Sequence, residues 1–281
     1  MSLPRPAVDR IALVTGASSG IGTELARQLA QRGHGVALVA RRAERLEQLA
    51  EELRELGVRA EVLPTDLADP VQRAGLVERV AELGAHVDVL VNNAGLSTFG
   101  AVHEADPGAE LHMVEIDVLA LVDLCTRFLE GMVRRRRGAV LNVASTAAFQ
   151  PMPGQAGYAA SKAFVLSYTR SLAGELHGTG VTATALCPGP VRTEFAEAAG
   201  IDPDIAEHSM PSFMWKSAEE VATAGIDALA AGHPVVIPGT ANRSVAMAAH
   251  LAPKGLLVRA LTKLHPALGG RRLTTSTGAR T

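Results

Sequence analysis

Aromatic residues are scarce in this chain of 281 residues: six Phe, two Tyr and one Trp make up 3% of it. Its core must therefore be built from Ala, Val, Leu and Gly, and with 47% hydrophobic and 20% charged residues it is of globular composition. Cysteine is nearly absent. Cys125 and Cys187 have no Cys or His nearby at metal spacing, which excludes a disulfide framework and a zinc site and predicts two buried free thiols. No metal is expected. No run of about 18 apolar residues occurs, so no membrane-spanning helix is expected. The opening Met1-Ser-Leu-Pro-Arg-Pro6 lacks the apolar stretch of a signal peptide, and the expected location is cytoplasmic. Net charge is also small, -2, so no global field favours nucleic acid. Acids are missing altogether after Asp227: the last 54 residues carry +7 and the first 227 carry -9.

What is present is an alternation of β-prone runs and amphipathic segments. Strands are expected at Ile11–Thr15, Gly35–Ala40, Arg59–Pro64, Val87–Val91, Ala139–Ser145, Val181–Cys187 and Val235–Ile237. Helices separate them, including a long one over Pro107–Arg137 and another over Gln155–His177. Ser217-Ala-Glu-Glu220 reads as a capping box opening a helix to Ala231. The pattern predicts an α/β fold, a Rossmann-type doubly wound parallel sheet of about seven strands. With no internal repeat or linker, residues 1–240 are expected to form one domain with a substrate loop at about 190–215. Residues 241–268 are expected to form a helical extension and 269–281 a disordered tail.

The first strand ends in Gly16-Ala-Ser-Ser-Gly20-Ile-Gly22, and a helix with Ile21, Leu25 and Leu29 on one face follows. Strand, glycine turn and helix are the context of a phosphate loop, because the helix N-terminus offers free N–H groups to a pyrophosphate. The second strand ends in Ala40-Arg41-Arg42, where NAD-binding units carry an acid for the ribose 2′-hydroxyl. Two guanidiniums there suit a 2′-phosphate, hence NADP(H) over NAD(H). Otherwise the arginines simply begin a solvated helix. Arg134–Arg137 end the long helix and read as solvated cations favourable to its dipole.

Ser145, Tyr158 and Lys162 carry the chemistry. Tyr158 and Lys162 are four apart and share a helix face, and Ser145 ends a strand thirteen residues before the tyrosine. A phenol has a reference pKa of about 10. An ammonium beside it is expected to lower that value and make a general acid or base at a carbonyl or alcohol oxygen. Ser145 can donate a hydrogen bond to the same oxygen.

With Gly16–Gly22, Asn92–Gly95, Ser145, Tyr158, Lys162 and Pro188-Gly189 in this order, the chain resembles the short-chain dehydrogenase/reductase family, in its single-domain branch, over roughly residues 9–238. The resemblance implies that Gly16, Ser18, Ser19, Gly20, Ile21 and Gly22 hold cofactor phosphates. It implies that Arg41, with Arg42, selects NADPH and that Asp66, with Leu67, caps the adenine. Asn93, Ala94 and Gly95, with Asn92, would line the adenosine side. Pro188, Gly189, Val191 and Thr193 would border the nicotinamide. Tyr158 would be the proton donor, Ser145 would orient the carbonyl, and Lys162 would also hold the nicotinamide ribose. The family's asparagine in the long helix is replaced here by Asp117, a candidate member of the catalytic group. It is either a near-isosteric substitute or a change in the proton relay.

Six of the nine aromatics, Phe99, Phe149, Tyr158, Phe195, Phe213 and Trp215, fall in or beside the expected substrate segments, suggesting an apolar substrate or a lid packed on its own core. The basic amphipathic stretch ending at Leu264 would cover the cleft, join subunits, or contact an anionic membrane or acyl carrier; packing against protein is preferred. Family members associate through the two long helices, so a homodimer or homotetramer is expected. The expected activity is an NADP(H)-dependent carbonyl–alcohol oxidoreductase. The alternatives are a 3-oxoacyl thioester reductase and, from another class, a low-turnover NADPH sensor.

Overall fold

The structure, a computed structural model, describes residues 3–200 and 210–264. The expected disordered tail, 269–281, the end of the extension, 265–268, and part of the substrate loop, 201–209, lie outside the described residues.

The apolar runs are strands β1 Arg10–Thr15, β2 Gly35–Ala40, β3 Ala60–Pro64, β4 His86–Asn92, β5 Gly138–Val143, β6 Val181–Leu186 and β7 Val235–Val236. They form one parallel sheet in the order β3-β2-β1-β4-β5-β6-β7. The strands are apolar throughout because both sheet faces are covered. Successive side chains point to opposite faces. Ile11 and Leu13 join the core beneath helices α3 (Pro70–Glu82), α5 (Ala120–Arg134) and α6 (Ala156–Glu175). Ala12 and Val14 join the core beneath α1 (Gly20–Gln31), α2 (Ala43–Glu55) and α7 (Ala218–Ala231). Alternate residues of one strand thus build two cores.

The order reverses between β1 and β4, and a crevice opens beyond their C-terminal ends, where ligands bind in such sheets. The glycine turn after β1 and Asn93–Gly95 after β4 flank it. The capping box forms as expected: Ser217 Oγ accepts from Glu220 N–H at 3.0 Å and the Glu220 carboxylate accepts from Ser217 N–H at 2.9 Å.

The long helix expected over residues 107–137 is not continuous. Helix α4 (Pro107–Val114) passes into a π-turn, Glu115–Leu119, before α5. Buried Arg73 holds this turn from both sides, donating to Glu115 at 2.5 Å and to Asp123 at 3.1 Å. The wider turn carries Asp117 inward, where it is 1% exposed. Nor are Arg135 and Arg137 merely solvated. Both approach the buried Asp88, as does Arg10.

Beyond β7, helix α8 (Thr240–Leu251) packs against the body through Ala246 and Ala249. The His250 ring meets Phe149 edge-on at 6.0 Å. Helix α9 (Lys254–Leu264) follows and leaves Leu256 exposed.

Candidate active site

The turn after β1 needs its glycines. Gly16 and Gly20 have φ of 64° and 57°, the left-handed region that penalises side chains. A Cβ on Gly22 would strike the Gly16 carbonyl and the Asn93 amide. Ser19 caps α1 without a side-chain hydrogen bond, and no acid stands in the helix's first turn. This helix end therefore keeps its N–H donors and positive dipole for an anion, and the residues fit a dinucleotide pyrophosphate. Asn93 closes the turn by donating to the carbonyls of Thr15 at 3.0 Å and Gly16 at 3.3 Å. Thr15 Oγ1 accepts from the N–H groups of Asn93 and Ala94.

Asn92 does not line this crevice with its side chain. It is buried and donates to Asn142 at 2.8 Å, and Asn142 donates to Thr169 at 3.0 Å. This polar thread braces β4, β5 and α6 from inside. The one polar residue in the apolar run of β5 was its sequence signal. Leu67 is likewise a core residue. The Asp66 carboxylate accepts from Ala68 N–H at 3.0 Å at the rim of β3.

At the end of β2, Arg42 rather than Arg41 reaches over the glycine turn. Its guanidinium donates to Ser18 at 3.0 Å and to Ser19 at 2.9 Å. Arg41 is exposed at the same strand end.

β5 stops at Val143, and Ser145 instead opens a 3-10 turn, Thr146–Phe149, its Oγ accepting from Ala147 N–H at 3.1 Å. The Ser145 hydroxyl lies close enough to Tyr158 on α6 to pull its phenol pKa down. One turn on, Lys162 places Nζ 5.7 Å from the centroid of the Tyr158 ring. That ammonium is 3.0 Å from Asp117 Oδ2 and 3.4 Å from the Val143 carbonyl. The other oxygen of Asp117 accepts from Leu96 N–H at 2.7 Å. Gly95 sits against the pair: an added Cβ would lie 3.0 Å from Lys162 Nζ and 3.2 Å from Asp117 Oδ1. Glycine, π-turn and α6 thus assemble Ser145, Tyr158, Lys162 and Asp117 in one place.

The electrostatics correct one expectation. Burial raises the Tyr158 phenol above its ordinary value; Lys162 and the Ser145 hydroxyl act downward as expected, but do not overcome it. Asp117 is raised by burial against the pull of Lys162. For Lys162, burial opposes the charge, yet Asp117 and Tyr158 outweigh it and the lysine holds its proton more tightly than in water. Burial pushes the free thiols of Cys125 and Cys187 up to about 12.

Gly189 packs on Asn242 of α8, with an added Cβ only 2.6 Å from its amide. Asn242, 1% exposed, donates to the carbonyls of Met214 at 2.9 Å and Pro238 at 3.2 Å. The extension therefore braces the Pro188-Gly189 wall, a role its sequence did not suggest. Val191 pairs with Lys216, and the Thr193 methyl lies against Gly20. The Phe195 ring is 5.8 Å from that of Tyr158. Phe149 is a core residue, and Trp215 turns its ring to Arg192. Phe149 therefore serves packing, while Trp215 stays half-buried.

Among the described residues, no cluster of His, Cys, Asp or Glu is placed to hold a metal ion, and no helix is long and apolar enough to cross a membrane.

The short chain dehydrogenase family profile matches residues 10–204. A protein of Streptomyces violaceoruber, named as a ketoacyl reductase of granaticin polyketide synthase, is 39% identical over 196 residues, 69% of this chain and 72% of its own length. A short-chain dehydrogenase from Sphingobium yanoikuyae, solved in complex with NADPH, superposes with a TM-score of 0.77 at 33% identity, over 89% of this chain and 95% of that one. A bulky-bulky ketone specific alcohol dehydrogenase from Comamonas testosteroni gives 0.72 at 27% identity, over 98% and 97%. The chain belongs to the short-chain dehydrogenase/reductase family, and it is an NAD(P)-dependent oxidoreductase of that class.

Proposed function

We propose that the protein interconverts a carbonyl and an alcohol on a largely apolar substrate, using NADP(H). The observation that carries this is the approach of Ser145, Tyr158 and Lys162 to one point beside the crevice. When bound, the cofactor supplies or takes up the hydride at the substrate carbon. Tyr158 gives the proton to the substrate oxygen in reduction and removes it in oxidation. Ser145 donates a hydrogen bond to that oxygen as charge develops. Lys162 stays charged and stabilises the phenolate left behind. Asp117 holds Lys162 in place.

Gly16 to Gly22 cradle the phosphates, with Asp66 and Asn93–Gly95 at the adenosine end and Pro188, Gly189, Val191 and Thr193 near the nicotinamide. Arg42, with Arg41 at the same strand end, supports the preference for a 2′-phosphate. Phe195 and Phe213, 39% and 68% exposed, support an apolar substrate, and the bulky ketones named for the Comamonas neighbour support a carbonyl substrate. A 3-oxoacyl thioester is the second reading, favoured by the ketoacyl reductase relative.

Residues 1–240 act as one domain braced by the extension, in a cytoplasmic homodimer or homotetramer. Phe164, 42% exposed and stacked on Tyr168 at 5.9 Å, supports association through α6.

The test is oxidation of NADPH, with NADH in parallel, against ketones, aldehydes and 3-oxoacyl thioesters. Turnover is expected with NADPH and is expected to fall by about 10²- to 10⁴-fold in Tyr158→Phe. Full activity in that variant removes the reading.

A further inference from the structure

Two charged residues beside the glycine turn, Arg45 and Glu194, are not used by the reading above. Arg42, over Ser18 and Ser19, also donates to Glu194 at 3.2 Å. Arg45, one turn further along α2, donates to both oxygens of the same carboxylate at 2.9 and 2.8 Å. Glu194 comes from the opposite wall of the crevice, between Thr193 against Gly20 and Phe195 against Tyr158. The carboxylate therefore spans from the substrate loop to the start of α2. All three side chains are 44% to 50% exposed, so solvent and ligand reach them. The two guanidiniums hold the Glu194 carboxyl below the usual carboxylate range, Arg45 before Arg42.

The charges fit a second occupant. Two guanidiniums carry two positive charges, and Glu194 cancels one. A phosphate monoester carries about -1.5 to -2. It balances the arginine pair if Glu194 leaves, and about one of its charges is left uncompensated if Glu194 stays. A ribose 2′-hydroxyl has no charge with which to displace the carboxylate, and it can donate a hydrogen bond to it.

We propose that Glu194 is an internal counter-ion standing where a cofactor 2′-phosphate binds, and that Arg45 and Glu194 set the preference between phosphorylated and unphosphorylated cofactor. A 2′-phosphate takes the Arg42–Arg45 pair by exchange with Glu194. The carboxylate thus weakens NADP(H) binding and leaves NAD(H) binding untouched or aided. This rests on the NADP(H) reading above and adds two residues to it.

The test compares the dissociation constants of 2′,5′-ADP and 5′-AMP by calorimetry. The proteins are the full chain, Glu194→Gln, Arg45→Met, and Glu197→Gln as a control for general loss of charge. Glu194→Gln is expected to tighten 2′,5′-ADP about two- to fivefold, the range an exposed ion pair supports, without tightening 5′-AMP. Arg45→Met should weaken 2′,5′-ADP by a similar factor and leave 5′-AMP unchanged. If the unaltered protein prefers 2′,5′-ADP but Glu194→Gln does not tighten it, or Glu197→Gln tightens it equally, the exchange is wrong and the NADP(H) reading stands. If the unaltered protein and Glu194→Gln both bind the two ligands alike, the NADP(H) reading fails and the exchange with it.

Discussion

Two buried carboxylates stand at opposite ends of the same strands. Asp88 lies near the start of β4, 2% exposed, with Arg10, Arg135 and Arg137 gathered on it. Asp117 lies beyond the end of β4, 1% exposed, facing one ammonium, that of Lys162. A guanidinium does not release its proton in a protein, and the three arginine side chains are 23% to 35% exposed. They neutralise Asp88 and tie the N-terminal edge of the sheet together. An ammonium can shift and exchange its proton, and Lys162 is sealed beneath a phenol. The same charge pairing is thus a clasp at one end and a means of tuning an acid at the other. The difference lies in the titrating partner and in which end of the strands meets the crevice.

The largest effect should come from Lys162→Met. It removes the cation from Tyr158 and leaves Asp117 buried without a counter-ion, held only by the Leu96 N–H. We expect kcat to fall by about 10²- to 10⁴-fold, read by steady-state kinetics. The melting temperature should fall as well, because breaking a buried pair leaves an uncompensated charge. At the other end, Asp88→Ala should destabilise the fold by about 1–3 kcal/mol in denaturant titration, the cost of losing charge-assisted contacts to partly exposed arginines. Its kcat should stay unchanged below the melt. A collapse of kcat in folded Asp88→Ala would erase the contrast between the two ends.

The finest test is Asp117→Asn. An anionic Asp117 raises both Tyr158 and Lys162. Tyr158 must be protonated to act as an acid in reduction, so the rate falls as pH rises through the phenol's pKa. Taking away the anion lowers that pKa. The alkaline limb of the NADPH-dependent rate should then move to lower pH, with the rate at the optimum changed little. An unmoved limb would show that Asp117 acts on Lys162 by position alone.

Short apolar runs bounded by turn residues made the sheet legible: runs such as Gly35–Ala40 read as strands covered on both faces, and seven of them were found where expected. Gly16 and Gly20 were legible because a tight turn with left-handed backbone at a helix start needs glycine whatever surrounds it. The π-turn was not. An α-helix and a π-turn share nearly the same pattern, and the choice here rests on Arg73 and Lys162, both distant in sequence. Asn242 and Glu194 were invisible for the same reason, since their partners come from loops and helices elsewhere.

The net direction of the Tyr158 shift was the other limit. Spacing along one helix placed a lysine beside a phenol, and that lowering contribution is real. Burial depends on everything packed around the ring, and it is the larger effect. By itself the sequence determined the strands, the glycine turn, the triad's order and the family. Only the tertiary structure decided which arginine reaches the serines of the turn, how Asp117 meets Lys162, and what brings Glu194 across the crevice. Local patterns specify backbone conformation; contacts between distant segments specify charge environment.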